Sequence, residues 1–250
     1  MRRASLGPFL LALVFALPAA AARPEQECAQ QSDGLAADAA REEVREMLRQ
    51  ARQQIREFEE KGGQRSDPQH PAVQWSERLW KLGSKHQGSP AGAEATSEAF
   101  HLLIHADRIP QAYELADRLP PSDPAWESLL QFLSEAARLS KDYSYALRKL
   151  QFLMDQASDT DRRTVLRIHL ASAYWQQDQP QQAIELFETV LRESPGGEHA
   201  RAAEGALYEL KALAPGQPAP LFSVTARGGS SIALAGFRGQ AVVLIFWSTT

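Results

Sequence analysis

The sequence predicts a mainly α-helical chain in which an array of helical repeats is followed by the first elements of an α/β domain. Two observations support this fold class. Residues 36–213 carry apolar side chains at helical spacing, with Pro, Gly, Ser and Asp concentrated at the breaks. From residue 216 onwards the pattern changes to short segments rich in β-branched and aromatic residues. We therefore expect two regions joined by a short linker at residues 214–216.

Residues 1–22 have the composition of a secretory signal peptide. Arg2 and Arg3 precede an apolar run that ends in Pro18 and a series of alanines. Because the signal protease needs small side chains before its cut, we expect cleavage near Ala22 and a mature start near Arg23. An uncleaved anchor is the alternative, but the run is short for a bilayer span. The chain is therefore expected to be periplasmic or secreted, without a stable membrane anchor.

Net charge and cysteine content limit the partners and the cysteine chemistry that we expect for this protein. The formal net charge of −4 argues against nucleic acid or an anionic membrane surface as a partner. Cys28 is the only cysteine in the sequence, so it allows no internal disulfide and no cluster of thiolate metal ligands. In an exported protein a lone cysteine is either a spare thiol or half of an intermolecular bridge. Its place beside the expected cleavage site favours the spare thiol.

Residues 23–70 predict an amphipathic helix followed by a linker. The helix is expected over residues 36–61 and ends at Gly62 and Gly63. Its apolar face consists of Val44, Met47, Leu48, Ala51, Ile55 and Phe58. Two heptads are too few to specify a coiled coil, so we expect this face to pack on the array. Another helix is expected over residues 71–86.

Residues 71–213 predict the helical array itself. Ala112, Ala146 and Ala183 recur at spacings of 34 and 37 residues, each in a helical pattern of the same phase. The breaks agree with this spacing and fall at residues 120–124, 158–161 and 194–197. Small residues near the middle of paired helices let the helices approach closely. We expect Ser122 or Asp123 to cap a helix that opens at Pro124, and Asp159 or Asp161 to cap the next helix.

The best-preserved of these units resembles a tetratricopeptide repeat. It comprises the segments 170–174 and 183–187, followed by Val190 and Pro195. The resemblance implies that Ala171 and Ala183 are the small contacts between paired helices and that Tyr174 and Phe187 fill the groove between them. It also implies a concave surface, lined by the first helix of each pair, that binds a peptide or protein ligand. Residues 198–213 are expected to form a terminal helix that caps the stack.

Few residues of the array suggest chemistry. His101 and His105 lie at i and i+4 with Asp107 nearby, but two ligands do not make a metal site, and the histidines are expected to be packing residues. The aromatic residues at helical spacing are expected to fill the core rather than a ligand groove; they are Trp75, Trp80, Trp126, Tyr174 and Trp175. We predict no catalytic site, no metal site and no cofactor for residues 23–214.

The residues from 216 onwards carry an ordered motif. Its members are Gly216, Ala219, Pro220, Phe222, Phe237, Gly239, Phe246 and Trp247. In order and spacing they resemble the opening of redoxins of the TlpA/ResA type, in the alkyl hydroperoxide reductase/thiol-specific antioxidant superfamily. These are extracytoplasmic thiol-disulfide oxidoreductases with a thioredoxin-like fold. The resemblance implies a hairpin over residues 221–234, with its turn at Gly228 or Gly229, and a central strand over residues 242–246 that is buried on both faces.

The same resemblance implies a function for the complete domain. Its reactive Cys-x-x-Cys would follow Thr250, so the given residues contain no catalytic residue and are expected to be inactive by themselves. The thioredoxin-like domain is thus expected to be incomplete, and the chain to be the N-terminal part of an oxidoreductase acting on exported proteins with thiols or disulfides. A peroxiredoxin-type peroxidase is an alternative, but that family places Pro where Ser248 stands. The other alternative is a tetratricopeptide-like protein-binding scaffold without enzymatic activity.

Overall fold

The computed structural model describes the backbone of residues 24–246 and 248, and side chains from residue 37 onwards. The predicted signal peptide and Trp247 lie outside the described residues, as does the side chain of Cys28. The described part is mainly helical and contains nine α-helices and a small two-stranded sheet. In this part of the chain, no helix has both the length and the apolar composition needed to cross a membrane.

The helices follow one another with short connections. They are α1 (Pro24–Glu60), α2 (Pro71–Lys85), α3 (Pro90–His105), α4 (Ile109–Asp117), α5 (Trp126–Ser140), α6 (Ser144–Gln156), α7 (Thr160–Gln176), α8 (Pro180–Glu193) and α9 (Gly197–Ala212). Most helices adjacent in sequence pack against each other. Alternate helices also touch, since α3 contacts α5, α5 contacts α7 and α7 contacts α9. Consecutive helix pairs therefore stack side by side along residues 90–212.

The amphipathic helix begins earlier than its apolar pattern predicted. α1 starts at Pro24 rather than near residue 36, because Ala, Glu and Gln at residues 25–31 are compatible with a helix even without an apolar stripe. Its predicted face is correct: Val44, Leu48, Ala51 and Ile55 are buried. α1 packs on α2 and α3, as expected.

The repeated alanines occupy equivalent places in the stack. Ala112 in α4, Ala146 in α6 and Ala183 in α8 lie near the starts of the second helices of three successive pairs, and all three are completely buried. Phe187, predicted to fill the space between paired helices, is also buried. The observed helices thus confirm the phase predicted from the alanine spacing. The predicted break at 120–124 lies between helices, and those at 158–161 and 194–197 extend into the first residues of α7 and α9.

Helix α2 and helix α3 make an unusually close contact through two glycines. A Cβ on Gly92 would lie 2.1 Å from the carbonyl oxygen of His86 and 3.0 Å from that of Gly83. A Cβ on Gly83 would lie 2.3 Å from Oγ1 of Thr96. Real Cβ atoms do not approach backbone so closely, so the contact requires glycine at residue 92.

The helix caps confirm one predicted residue and correct another. Asp159 caps α7, because its carboxylate accepts a hydrogen bond of 2.7 Å from the backbone N–H of Arg162. α5, which was expected to open at Pro124, opens at Trp126. Asp123 instead accepts a hydrogen bond from the N–H of Ala125, so it stabilises a turn just before the helix.

The C-terminal segment contains the predicted hairpin. β1 (Ser223–Thr225) pairs antiparallel with β2 (Ser231–Ala233), with Val224 opposite Ile232. The turn between them includes Gly229, whose φ is +82°. Leu234 was expected in the return strand but begins a 3₁₀ helix (Leu234–Phe237), although its N–H still donates to the carbonyl of Phe222.

The central strand predicted over residues 242–246 does not form. These residues are in no strand, and their side chains are exposed, with Phe246 92% accessible. A strand requires a neighbour to accept and donate its backbone hydrogen bonds, and no described segment pairs with this one. The expected burial on both faces is therefore wrong for this structure.

Candidate functional site

A surface groove runs between α3 and α5, the first helices of two adjacent pairs. It has a volume of about 420 Å³ and is open to solvent. Two turns of α3 form one wall, and the first turns of α5 form the other. Its lining residues come from the first parts of both helices and from the residues just before them.

The groove is acidic. Glu94 and Glu98 of α3 and Glu127 of α5 line it, and no Lys or Arg is among its described lining residues. Phe132 adds an aromatic surface at one end, where its ring stacks on His101 with the centroids 4.5 Å apart. Three carboxylates beside an aromatic face suit a cationic segment that carries some apolar surface.

A second arrangement brings together Glu59, His70 and His105. One carboxylate oxygen and one nitrogen of each imidazole lie within 4.8 Å of one another. Three separate elements supply these side chains, because Glu59 lies at the end of α1, His70 immediately precedes α2, and His105 is the last residue of α3. Nε2 of His105 is 3.1 Å from Oε1 of Glu59. We refer to the three residues as the His70 cluster.

His70 is the most constrained member of the cluster. It is completely buried, and its Nδ1 accepts a hydrogen bond of 3.2 Å from the N–H of Ala72, which caps α2. Its Nε2 is buried without a hydrogen-bond partner in the described part of the protein. The ring packs edge-on against Phe58 and His105. Burial, followed by the neighbouring charge of His105, lowers the pKa of His70, so its imidazole is neutral near pH 7.

Hydrogen bonds hold the loop that carries His70 at two places. α1 ends in a Schellman motif, in which Gly63 donates to the carbonyl of Phe58 and Gly62 to that of Glu59. A Cβ on Gly63 would overlap the Phe58 ring. Further along the loop, Arg108 donates to the carbonyls of Ser66 and Asp67 at 3.0 and 2.9 Å. These bonds hold the loop between the ends of α1 and α3.

The sequence predicted the packing role of two histidines but not the contact of one of them with His70 and Glu59. His101 and His105 are packing residues, as expected, but they face different neighbours, since His101 stacks on Phe132 and His105 contacts Glu59. Asp107 does not approach either ring closely enough to join the cluster; it adopts a left-handed φ of +54° and ends α3. His70 and Glu59 were missed because 35 and 46 residues separate them from His105, and sequence spacing within one helix cannot reveal such contacts.

The redoxin-motif residues from Gly216 to Phe246 lie on the surface. Gly216, Ala219 and Pro220 are exposed, and the side chains of Phe222 and Phe237 are 39% and 40% accessible. Gly239 has a φ of +83°, a conformation that favours glycine. Over residues 216–246, no side chain is buried. The structure thus forms the hairpin without assembling a site around it.

The aromatic residues of the helices belong mostly to the core. Trp75 and Trp126 are 2% accessible, and each indole N–H has a partner, the side chain of Gln54 and the carbonyl of Pro120 respectively. Trp80, Tyr174 and Trp175 are partly buried and pack against the core. The prediction that this set fills the core is confirmed for Trp75 and Trp126, and the other three lie at the edge of the core.

Comparisons with protein-family models, with curated proteins and with solved structures each gave no match.

Proposed function

We propose that this chain is the N-terminal part of an extracytoplasmic thiol-disulfide oxidoreductase whose tetratricopeptide-like array recruits the protein substrate. The observation that carries the proposal is the acidic groove between α3 and α5. It is formed by the first helices of adjacent pairs, where helical-repeat proteins hold extended peptides. The redox part of the proposal depends on the motif residues from Gly216 to Trp247 and on their resemblance to the opening of a redoxin.

The groove favours one chemical class of ligand. Glu94, Glu98 and Glu127 attract Lys or Arg, and Phe132 provides a surface for an apolar or aromatic side chain. An extended segment with basic residues beside an apolar residue satisfies both features. Such segments are exposed in unfolded or incompletely oxidised exported proteins, which are the substrates expected for a thiol-disulfide oxidoreductase.

In this proposal the array and the redoxin domain have different roles. The array holds the substrate, and the redoxin domain, which residues 216–250 would begin, exchanges disulfides with it. In that chemistry a cysteine thiolate attacks a substrate disulfide and a second cysteine resolves the mixed disulfide. Residues 214–216 form a short connection between the array and the motif, so a bound substrate would stay near the redox centre.

A protein-binding scaffold without redox activity is the second candidate. The observation that favours it is that the sequence contains only Cys28, which precedes the array and is remote from the motif. Reading the coding sequence after Thr250 separates the two candidates. An in-frame Cys-x-x-Cys supports the oxidoreductase, whereas an authentic stop codon directly after Thr250 supports the scaffold.

Peptide binding tests the recruiting role. A labelled, extended peptide with Lys and Arg around an aromatic residue should bind the protein, while the same peptide with Glu in place of the basic residues should not. Replacing Glu94, Glu98 and Glu127 together by Gln should weaken binding at least fivefold, and binding to the unaltered protein should weaken as salt is raised.

The matched control replaces three exposed glutamates outside the groove, Glu185, Glu204 and Glu209, by Gln. It removes the same charge and should leave peptide affinity within about twofold of the unaltered protein, since screened distant charges contribute little. Equal loss in both triple variants would mean that net charge, and not the groove, attracts the peptide. No difference between the basic and acidic peptides would also refute the recruiting role.

A further inference from the structure

The His70 cluster has the composition of a metal site that the function proposed above does not use. Two imidazoles and one carboxylate, with a fourth position left for water, form a common ligand set for zinc. The donor atoms lie within 4.8 Å of one another, so modest side-chain movements would bring them to the separation that a tetrahedral ion requires. They come from α1, α2 and α3, and an ion bound there would join all three helices.

The free nitrogen of His70 is the second, independent indication of a ligand. A completely buried polar atom without a partner is rare, because it has lost its hydrogen bonds to water. Nδ1 of the same ring is occupied by the N–H of Ala72, so Nε2 is the nitrogen that lacks a partner. Because Nδ1 accepts this bond, the neutral ring carries its proton on Nε2, and an ion satisfies Nε2 once that proton has moved to Nδ1.

Glu59 and His105 of the cluster reach solvent, whereas His70 is buried. Glu59 and His105 line an open groove of about 370 Å³ between α1 and α3, which gives an ion a path from solvent. Arg108 fixes the loop that carries His70 through the carbonyls of Ser66 and Asp67. The backbone of this loop is thus held in place before an ion arrives, which reduces the entropic cost of binding.

We propose that Glu59, His70 and His105 bind a divalent transition-metal ion, with zinc as the best fit, and that the ion fastens the ends of α1 and α3 to the start of α2. Ligation through Nε2 of His70 moves the ring proton to Nδ1, so the hydrogen bond from Ala72 is lost when the ion binds. Ion binding thus competes with the capping of α2 by His70. We therefore expect a moderate rather than a very tight affinity for the ion.

Protonation governs the pH dependence of the site. The ligands must be unprotonated, and both histidines compete with protons as the pH falls. The charged groups that face His70 are Glu59, Asp67, His105 and Arg108. Affinity should fall as the pH is lowered from 7.5 to 5.5.

The test is a titration of the tag-free full chain with zinc by calorimetry, and with cobalt by visible absorption. We expect one ion per chain and a cobalt spectrum typical of four-coordinate nitrogen and oxygen ligation. His70→Asn is the most informative variant, because Asn is a good helix N-cap and preserves the cap while removing the imidazole. It should bind zinc at least tenfold more weakly, and His105→Gln should do the same.

The control is His101→Gln, which removes a histidine from the same helix one turn away from His105 and outside the cluster. It should retain the affinity of the unaltered protein within twofold. Zinc should raise the melting temperature of the unaltered protein and of His101→Gln, but not of His70→Asn. Absence of binding, binding of equal strength in His70→Asn, or loss of binding only in His101→Gln would overturn the proposal.

Discussion

The helical array and the C-terminal segment contain similar apolar residues, but the array buries their side chains and the segment exposes them. Leu129 and Leu133 of α5 are completely buried, whereas Val243 and Ile245 are 82% and 79% exposed. The array brings each apolar face against another helix within residues 40–207. The segment after residue 216 has only a short hairpin, and one hairpin cannot cover its own side chains. Packing partners, more than local composition, decide which apolar residues become structured.

Core truncation should show the largest difference between the two regions. Leu133→Ala removes a completely buried side chain and should cost about 2–5 kcal/mol of unfolding free energy. Ile245→Ala removes a largely exposed side chain and should change the unfolding free energy by no more than about 0.5 kcal/mol. Urea unfolding followed by circular dichroism measures both. Comparable losses would mean that residue 245 is packed in the folded protein.

Two glycine substitutions should change stability in opposite directions. Gly92→Ala places a Cβ against the carbonyl of His86 and should destabilise the protein by about 1–3 kcal/mol. Gly205→Ala lies in α9, where an added Cβ meets nothing within 4 Å. Because alanine favours the helix, it should stabilise by up to about 1 kcal/mol. Thermal unfolding of the two variants checks the contrast, and a neutral Gly92→Ala would contradict the close contact of α2 with α3.

The buried histidine should make the array sensitive to acid. Burial lowers the pKa of His70 in the folded protein below the ordinary value of 6.5, so the unfolded chain binds a proton more readily. The resulting stability is fully present above about pH 6.5 and is lost as the pH falls through the lower folded pKa.

Unfolding free energies at pH 7.5 and pH 5, measured with a metal chelator present, test this effect. His70→Asn keeps the cap and should reduce the loss of stability at pH 5. Some loss should remain, because burial also lowers the pKa of His169. If the unaltered protein and His70→Asn lost the same amount, then His70 would not be the source of the acid sensitivity.

Features that depend on local spacing could be predicted from the sequence. The phase of Ala112, Ala146 and Ala183 follows from helical periodicity, and the cap at Asp159 from the preference of short polar side chains for helix starts. The hairpin around Gly229 follows from turn chemistry. The cap and turn signals lie within a few residues of the structures that they specify, and the alanine signal is a simple repeat along the chain.

Features that depend on distant partners could not be predicted. The His70 cluster joins residues from three helices, and neither Glu59 nor His70 stands in a recognisable metal-binding pattern. The strand expected over residues 242–246 has strong β propensity, but propensity does not supply the neighbouring strand that its backbone needs. The contact through Gly92 depends on how α2 and α3 cross, which periodicity does not specify.

The central claim is that the helices form the folded unit and that residues 216–246 are not packed against it. Hydrogen exchange of the full chain, followed by mass spectrometry, tests it most directly because it reports each region in the same sample. We predict strong protection of the backbone amides in α3, α5 and α7, and exchange within seconds over residues 240–246. Protection of residues 240–246 equal to that of α5 would contradict the claim.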